Sequence, residues 1–241
     1  MNQVITQLYE RKSVRAYTDQ EIGQAEKAAI LRAAVEAPTA GNQQLYTILD
    51  ITDQAVKEKL VETCDHQPMI AQAKLVLVFC ADCKKWYDGY LAAGCQTRKP
   101  GVGDLLLAAS DALIAAQNAV TAAESLGIGS CYIGDIMENC EQQRSLLQLP
   151  AYVVPVGMVI FGYPTQQQKN RPKPERVKME YIVHENSYKP LCDQALEEMW
   201  TSRAGEKGYA AWMQAFCNRK YNSDFSREMT RSIEKYLEQF R

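Results

Sequence analysis

The stretch from Leu105 to Leu126 constrains this chain more than any other. It is the longest apolar stretch, and Asp111, Gln117, Asn118 and Glu124 interrupt it. Those residues make it a poor membrane span. They suit a helix buried inside a protein or at a subunit interface. Gly127 and Gly129 follow as stop signals, so the pattern predicts a helix over Asp104 to Leu126. A chain of 241 residues, 46% hydrophobic and 23% charged, can wrap one sizeable domain around such a helix.

The remaining elements alternate. Val4 to Glu10 reads as a short helix. Thr18-Asp19-Gln20-Glu21 looks like a helix start, leading into Ile22 to Ala37. Helices are also predicted at Gln54 to Thr63 and Cys140 to Leu147, with strands at Leu45 to Ile51, Leu75 to Phe79 and Val153 to Phe161. Ala37 to Gln44 is a breaker-rich loop, Tyr87 to Gly103 an exposed segment, and Cys131 to Ile136 short and turn-rich. Thr165 to Lys178 reads as an exposed arm. From Asp193 the pattern is helical, clearest over Ser226 to Phe240. Many helices and few strands predict a mixed α and β fold, not a doubly wound sheet. No G-x-G-x-x-G follows a first strand, which argues against a Rossmann dinucleotide site. Gly127-Ile128-Gly129 follows a helix and reads as its stop.

The charge balance narrows function. Lys and Arg number 27 against 29 Asp and Glu, and no basic tail is present, so nothing asks for nucleic acid. Met1 to Glu10 lacks the apolar core of a secretory signal, and a cytoplasmic protein is expected. Of the eight cysteines, Cys80 and Cys83 form a C-x-x-C after an apolar strand. With only His66 and His184 available, no metal-ligand constellation is apparent. Most of the cysteines are expected to be small buried hydrophobes. A thiol-redox module on Cys80 and Cys83 is the competing reading.

Two basic clusters stand far apart in the chain: Arg11-Lys12-Ser13-Val14-Arg15 and Arg171-Pro172-Lys173. Fixed cations from both clusters, with the Ser13 hydroxyl from the first, would suit one anionic small molecule, a phosphate above all. Solvated surface is the plainer reading of each cluster alone.

In order and spacing these blocks resemble the FMN-dependent nitroreductase family, in particular its oxygen-insensitive NADPH nitroreductase and NADPH-flavin oxidoreductase branch. The resemblance rests on Arg11 to Arg15, Ala37 to Gln43, Gly127 to Gly134, Val156 to Pro164 followed by Arg171-Pro172-Lys173-Pro174, and His184-Glu185-Asn186-Ser187-Tyr188. It runs from about Val4 to Tyr188. It implies an α+β, three-layer fold with a mixed central sheet flanked by helices. The FMN-binding domain would span 1–190, and a helical C-terminal extension, 191–241, would pack on it. It also implies a homodimer with FMN at the interface and ping-pong transfer from NADPH or NADH to a small-molecule acceptor such as a nitroaromatic, a quinone or free flavin.

By the same resemblance Arg11 and Ser13 match phosphate ligands, as do Arg171 and Lys173. Lys12 stands where an arginine is usual and lacks its bidentate fork. Arg15 matches the cation beside the N1/O2 edge of the flavin, where positive charge favours hydride acceptance. Gln67 matches a partner of the pyrimidine edge, and Thr39 lies in the loop beside the ring. Tyr132, Ile133 and Gly134 match the segment whose backbone approaches N5. Arg203 and Arg227 are the nearest matches to arginines that grip the nicotinamide cofactor, and both also suit helix-surface charges. Ser13 also suits a turn cap, and Tyr132 and Ile133 also suit plain core. No catalytic nucleophile is expected, because the flavin carries the chemistry. A dehalogenase-like relative of the same fold is an alternative, as is a non-enzymatic flavin-binding module.

Overall fold

A computed structural model describes all residues, 1–241. Four strands, β1 (Tyr46–Asp50), β2 (Leu75–Asp82), β3 (Gly129–Ile133) and β4 (Val153–Gly162), form one sheet in the order β1-β2-β4-β3. Every ladder is antiparallel. Parallel pairing is confined to an isolated bridge between Ser13 and Ser130, so the mixed character of the sheet reduces to that bridge. β2 is buried at all positions, which is why it reads as an unbroken apolar run.

Strand alternation feeds two cores. Leu75, Leu77 and Phe79 of β2, with Val159 and Phe161 of β4, face Ile30 and Ala34 and an alanine row from Ala112 to Ala123. These come from α2 (Gln24–Val35) and α6 (Val102–Ser125). Val76, Val78, Cys80, Met158 and Ile160 face the opposite way, against Leu60, Ile70 and Ile136. There α3 (Gln54–Thr63) and α4 (Met69–Gln72) cover the sheet, giving the three layers. Pro155 lies in the central strand β4, where a missing N–H would break a ladder. The register skips at that point, pairing Cys80 with Pro155 directly after Phe79 with Gly157.

The chain divides into two compact units, 1–172 with 228–241, and 173–227. The first also holds α1 (Gln3–Glu10), α5 (Lys84–Ala92), α7 (Cys140–Leu146) and α8 (Gln166–Asn170). The second holds α9 (Asp193–Ala204) and α10 (Tyr209–Lys220), with Trp212 stacked on Phe216, ring centroids 5.0 Å apart. α11 (Asp224–Leu237) begins in the second unit and continues in the first. There Ser232, Tyr236 and Phe240 are buried, and Arg231 forks onto both carboxylate oxygens of Glu141 at 2.9 and 2.8 Å.

Several local expectations need correction. Thr18 to Glu21 does not start α2. Gly23 precedes it, with its N–H donated to Glu26 at 2.7 Å. Cys131 to Ile136 is not all turn, because residues 129–133 form β3. Cys131 and Ile133 point inward there and Tyr132 outward, and the flanking glycines disguised the strand. Tyr87 to Gly103 begins inside α5. Gly89 and the lack of any buried residue in α5 hid its helical period. The arm after Thr165 contains α8, capped by the Thr165 hydroxyl.

α6 passes for a membrane span by length and composition, but Asp111 shows its role in a core. This buried carboxylate accepts hydrogen bonds from the Thr39 hydroxyl, the Ala40 N–H (3.1 Å) and the Leu45 N–H (3.2 Å). It fastens the 37–45 loop to the helix. Asp111→Asn puts an amide donor among donors and should destabilise by about 2 kcal/mol. Thermal unfolding would register this as a Tm lowered by roughly 4–8 °C, and an unchanged Tm would refute the role.

Candidate functional site

Two glycines paired across strands create the platform for the first basic cluster. Gly129 of β3 lies opposite Gly162 of β4. A Cβ on Gly129 would stand 2.6 Å from Val14, and one on Gly162 would stand 2.6 Å from the Tyr17 ring. The extended segment 13–17 settles into this notch. The Val14 N–H donates to the Ser130 carbonyl at 2.9 Å, and the Tyr17 hydroxyl donates back to the Val14 carbonyl at 2.8 Å. Val14 is buried, leaving Ser13 and Arg15 to flank it.

The two basic clusters come together as a clasp. The Lys12 ammonium donates to the carbonyl oxygens of Lys169 (2.7 Å) and Arg171, and the Arg171 guanidinium donates to the Ser13 carbonyl. The Arg15 N–H donates to the Gln168 side chain at 3.3 Å. Lys12 therefore serves the main chain with two of its three donors, a use the sequence did not reveal. Arg11 Nη1 and Arg171 Nε are buried and find no acceptor within the chain. A cleft of about 300 Å³ opens beside the clasp, lined in part by Lys12, Val14, Gly129 and Lys169.

Below the clasp lies Cys131. Burial pushes its thiol pKa up, and Arg15, the Ser13 hydrogen bond and Arg11 pull it partly back. The Tyr132 phenol is pushed up to about 12 by burial, against the pull of Arg11. Ile133 is buried. A Cβ on Gly134 would meet nothing within 4 Å, so this turn is open to close approach. The Thr39 hydroxyl is spent on Asp111 and on the Gln44 N–H (2.8 Å). Gln67 follows Asp65 and His66, both left-handed at φ 57° and 51°. Its amide donates to Asp135 (2.9 Å) and to the Cys64 carbonyl (3.0 Å). Sequence reasoning missed Asp135, Gln168 and the glycine pair, whose partners are remote in the chain.

Lys173, Arg203 and Arg227 belong to the second unit. Lys173 is half-buried at its start. Arg203 lies over the Trp200 ring at 4.8 Å and donates to the Glu175 carbonyl at 3.3 Å. Arg227 pairs with Asp224 at 3.4 Å on an exposed helix turn. Cys80 and Cys83 are buried, and burial pushes both thiols up to about 12, the reverse of a reactive thiolate. The segment after Cys83 lines another cleft, of about 210 Å³, with Trp86, Tyr87, Tyr90 and Arg98.

The profile of the Nitroreductase family matches residues 8–163, which span the notch, the loop fastened by Asp111, Gln67 and β3. An oxygen-insensitive NADPH nitroreductase of Salmonella typhimurium is 35% identical over 88% of each chain. This chain belongs to the nitroreductase family. An FMN reductase [NAD(P)H] of Bacillus subtilis is 32% identical, aligned over 99% of this chain and 92% of that protein. The solved structure of NfrA2 from B. megaterium superposes with a TM-score of 0.83 at 29% identity, covering 98% of each chain. Within the nitroreductase profile fall the notch and the 11–15 side of the clasp, while Gln168, Lys169, Arg171 and His184 to Tyr188 lie beyond it.

Proposed function

We infer that this nitroreductase-family protein is an FMN-dependent oxidoreductase passing electrons from NAD(P)H to nitroaromatics, quinones or free flavin. The observation that carries the reading is the pair of buried, unpartnered guanidinium donors, Arg11 Nη1 and Arg171 Nε, within one clasp. A buried donor without an acceptor costs about 1–3 kcal/mol, and a phosphate offers acceptors to both. The residues present therefore fit FMN. When bound, FMN supplies acceptance of a hydride from the nicotinamide and its onward transfer in a ping-pong sequence.

The chain's own residues bind and orient. Arg11, Ser13 and Arg171 would hold the phosphate, and Lys173 is proposed for the same role from its place two residues after Arg171 in the sequence. Lys12 would act mainly by fixing the 169–171 backbone. Arg15 would set a positive charge at the N1/O2 edge, and Gln67 would meet the pyrimidine edge. Thr39 would act by shaping its loop. Tyr132, Ile133 and Gly134 would offer backbone near N5, and Arg203 and Arg227 the grip on the nicotinamide cofactor. The FMN-binding part would be 1–190, with 191–241 as a helical extension. The aromatic cleft lined by Trp86, Tyr87 and Tyr90 suits a planar acceptor.

A homodimer is part of this proposal. α6 exposes Leu106 (65%), Leu107, Leu113 and Ile114, and α1 exposes Val4 and Leu8, more large apolar surface than a lone helix pair needs. A cytoplasmic setting is supported by eight free cysteines. The test is the absorbance spectrum of the purified protein, sized on the same column, before and after anaerobic NADPH. A yellow species of two chains that bleaches is expected. A protein that takes up no FMN on reconstitution would overturn the reading.

A further inference from the structure

Tyr152 has a left-handed backbone, φ 63°, which a residue with a bulky side chain adopts only under constraint. It stands in the turn just before β4, and four contacts hold it there. Its N–H donates to the Gln239 side-chain oxygen at 3.1 Å, and its carbonyl accepts the Cys83 N–H at 3.1 Å. Its ring meets Phe240 edge-on with centroids 5.5 Å apart, and Tyr87 edge-on at 5.6 Å. Gln239 and Phe240 belong to the turn 238–240 that follows α11. One strained residue thus joins that turn to α5.

α5 has no buried residue to fix it. Its start is tied down: the Lys84 and Lys85 N–H groups donate to Asp82 at 3.0 and 3.2 Å, and the Trp86 indole N–H to the Gln43 carbonyl at 2.7 Å. The Tyr87 ring adds a further hold, against Tyr152. Trp86, Tyr87 and Tyr90 line the cleft of about 210 Å³, and so do Pro100 and Asp104. Phe240 reaches this second stretch as well, since a Cβ on Gly101 would stand 3.9 Å from its carbonyl oxygen. Phe240 is buried in one apolar cluster with Leu45 and Cys83, which also line the cleft. α11 is anchored away from the cleft, by Arg231 on Glu141 and by the Cys140 N–H on the Ser232 hydroxyl at 2.9 Å. The turn 238–240 is therefore a fixed support.

We propose that Gln239 and Phe240 are positioning residues for the electron acceptor: through Tyr152 they set Tyr87 and α5, and with them the width of the aromatic cleft. This rests on the reading of that cleft as the place of a planar acceptor. Tyr152, Gln239 and Phe240 do not line the cleft, so they act by backing its aromatic residues. The cleft is smaller than the roughly 300–1,000 Å³ of sites for drug-sized ligands, which favours a one-ring acceptor over a three-ring one. Without the Phe240 ring, Tyr152 is free to leave its left-handed conformation. Tyr87 then loses its backing, α5 gains freedom, and the cleft admits larger ring systems.

The experiment measures kcat/KM for 1,4-benzoquinone and for anthraquinone-2-sulfonate with the FMN-loaded enzyme and NADPH. In a ping-pong sequence this quantity reports the acceptor half-reaction alone. Wild type, Phe240→Ala, Phe240→Leu, Tyr87→Ala, Trp86→Ala and the double variant of Phe240→Ala with Tyr87→Ala are compared. Phe240→Ala should shift the ratio toward the three-ring quinone by about fivefold, chiefly through KM, the size of one packed ring contact. Its FMN affinity should not move. Phe240→Leu keeps apolar volume behind Tyr152 and should stay within about twofold of the wild-type ratio. The double variant should match Tyr87→Ala, because the effect travels through Tyr87. A wild-type ratio in Phe240→Ala, with both quinones slowed alike, would overturn the proposal, as would full additivity of the two substitutions. Wild-type ratios in both Tyr87→Ala and Trp86→Ala would instead overturn the placing of the acceptor in this cleft. Should Phe240→Ala fail to fold, Tyr152→Gly decides. Glycine takes a φ of 63° without strain, and loss of the ring should shift the ratio in the same direction. An unchanged ratio there would overturn the proposal.

Discussion

Arg171→Ala should purify nearly colourless, with FMN affinity reduced by about a hundredfold or more. The side chain carries a charge, a hydrogen bond to the Ser13 carbonyl and a buried Nε donor without an acceptor in the chain. Truncating one member of a buried charged contact typically removes about 2–5 kcal/mol, and 1.4 kcal/mol is tenfold in affinity. The Arg171 carbonyl, which Lys12 grips, survives the substitution. The loss then reports the guanidinium rather than a collapsed arm. Arg171→Lys should recover part of the affinity, since charge returns without the planar fork. Titration of the apoprotein with FMN measures both variants. Binding by Arg171→Ala within threefold of wild type would remove Arg171 from the anion site.

Gly162→Val should damage both the fold and the site. Any Cβ at this position meets Tyr17 at 2.6, 2.7 and 3.0 Å. The ring cannot drift away cheaply. Its hydroxyl donates to the Val14 carbonyl, and the Thr18 N–H donates to the Tyr163 carbonyl at 2.8 Å. Relief must come from lifting segment 13–17 off the sheet, with Ser13 and Arg15 attached. Overpacking of this kind costs about 3 kcal/mol, or a Tm lower by roughly 6–12 °C in a domain of this size. FMN binding should weaken in the same variant. Gly89→Ala is the control, because a Cβ there meets nothing within 4 Å. Equal Tm values for Gly162→Val and wild type would show that the notch yields freely.

Much of this was readable from local pattern. The span of α3, the apolar run of β2 and the long helix α6 all follow from period and stop signals, because their neighbours in sequence set them. Charge suggested one anion shared by Arg11 to Arg15 and Arg171 to Lys173, with solvated surface as the plainer reading; the structure joins residues 12–15 to Gln168, Lys169 and Arg171. What stayed hidden depends on partners far along the chain. Gly129 reads as a helix stop until Gly162 is placed opposite it and Val14 above it. Thr39 looks like a ligand to the ring until Asp111, on another element, takes its hydroxyl. Lys12 reads as a phosphate cation, and the structure adds that two carbonyl groups engage two of its donors. Asp135 carries no motif, and its importance comes only from standing behind Gln67.

The clasp has a consequence for how cofactor and protein part company. Residues 11–15 and 168–171 grip one another through the protein's own amides, carbonyls and side chains. The chain entropy of bringing them together is therefore lost during folding, not during capture of the anion. On the proposed placement, FMN would dock onto a surface already shaped for it and could leave without unfolding it. Dissociation would then be a simple exchange, reversible by mass action, and occupancy would follow the free FMN around the protein.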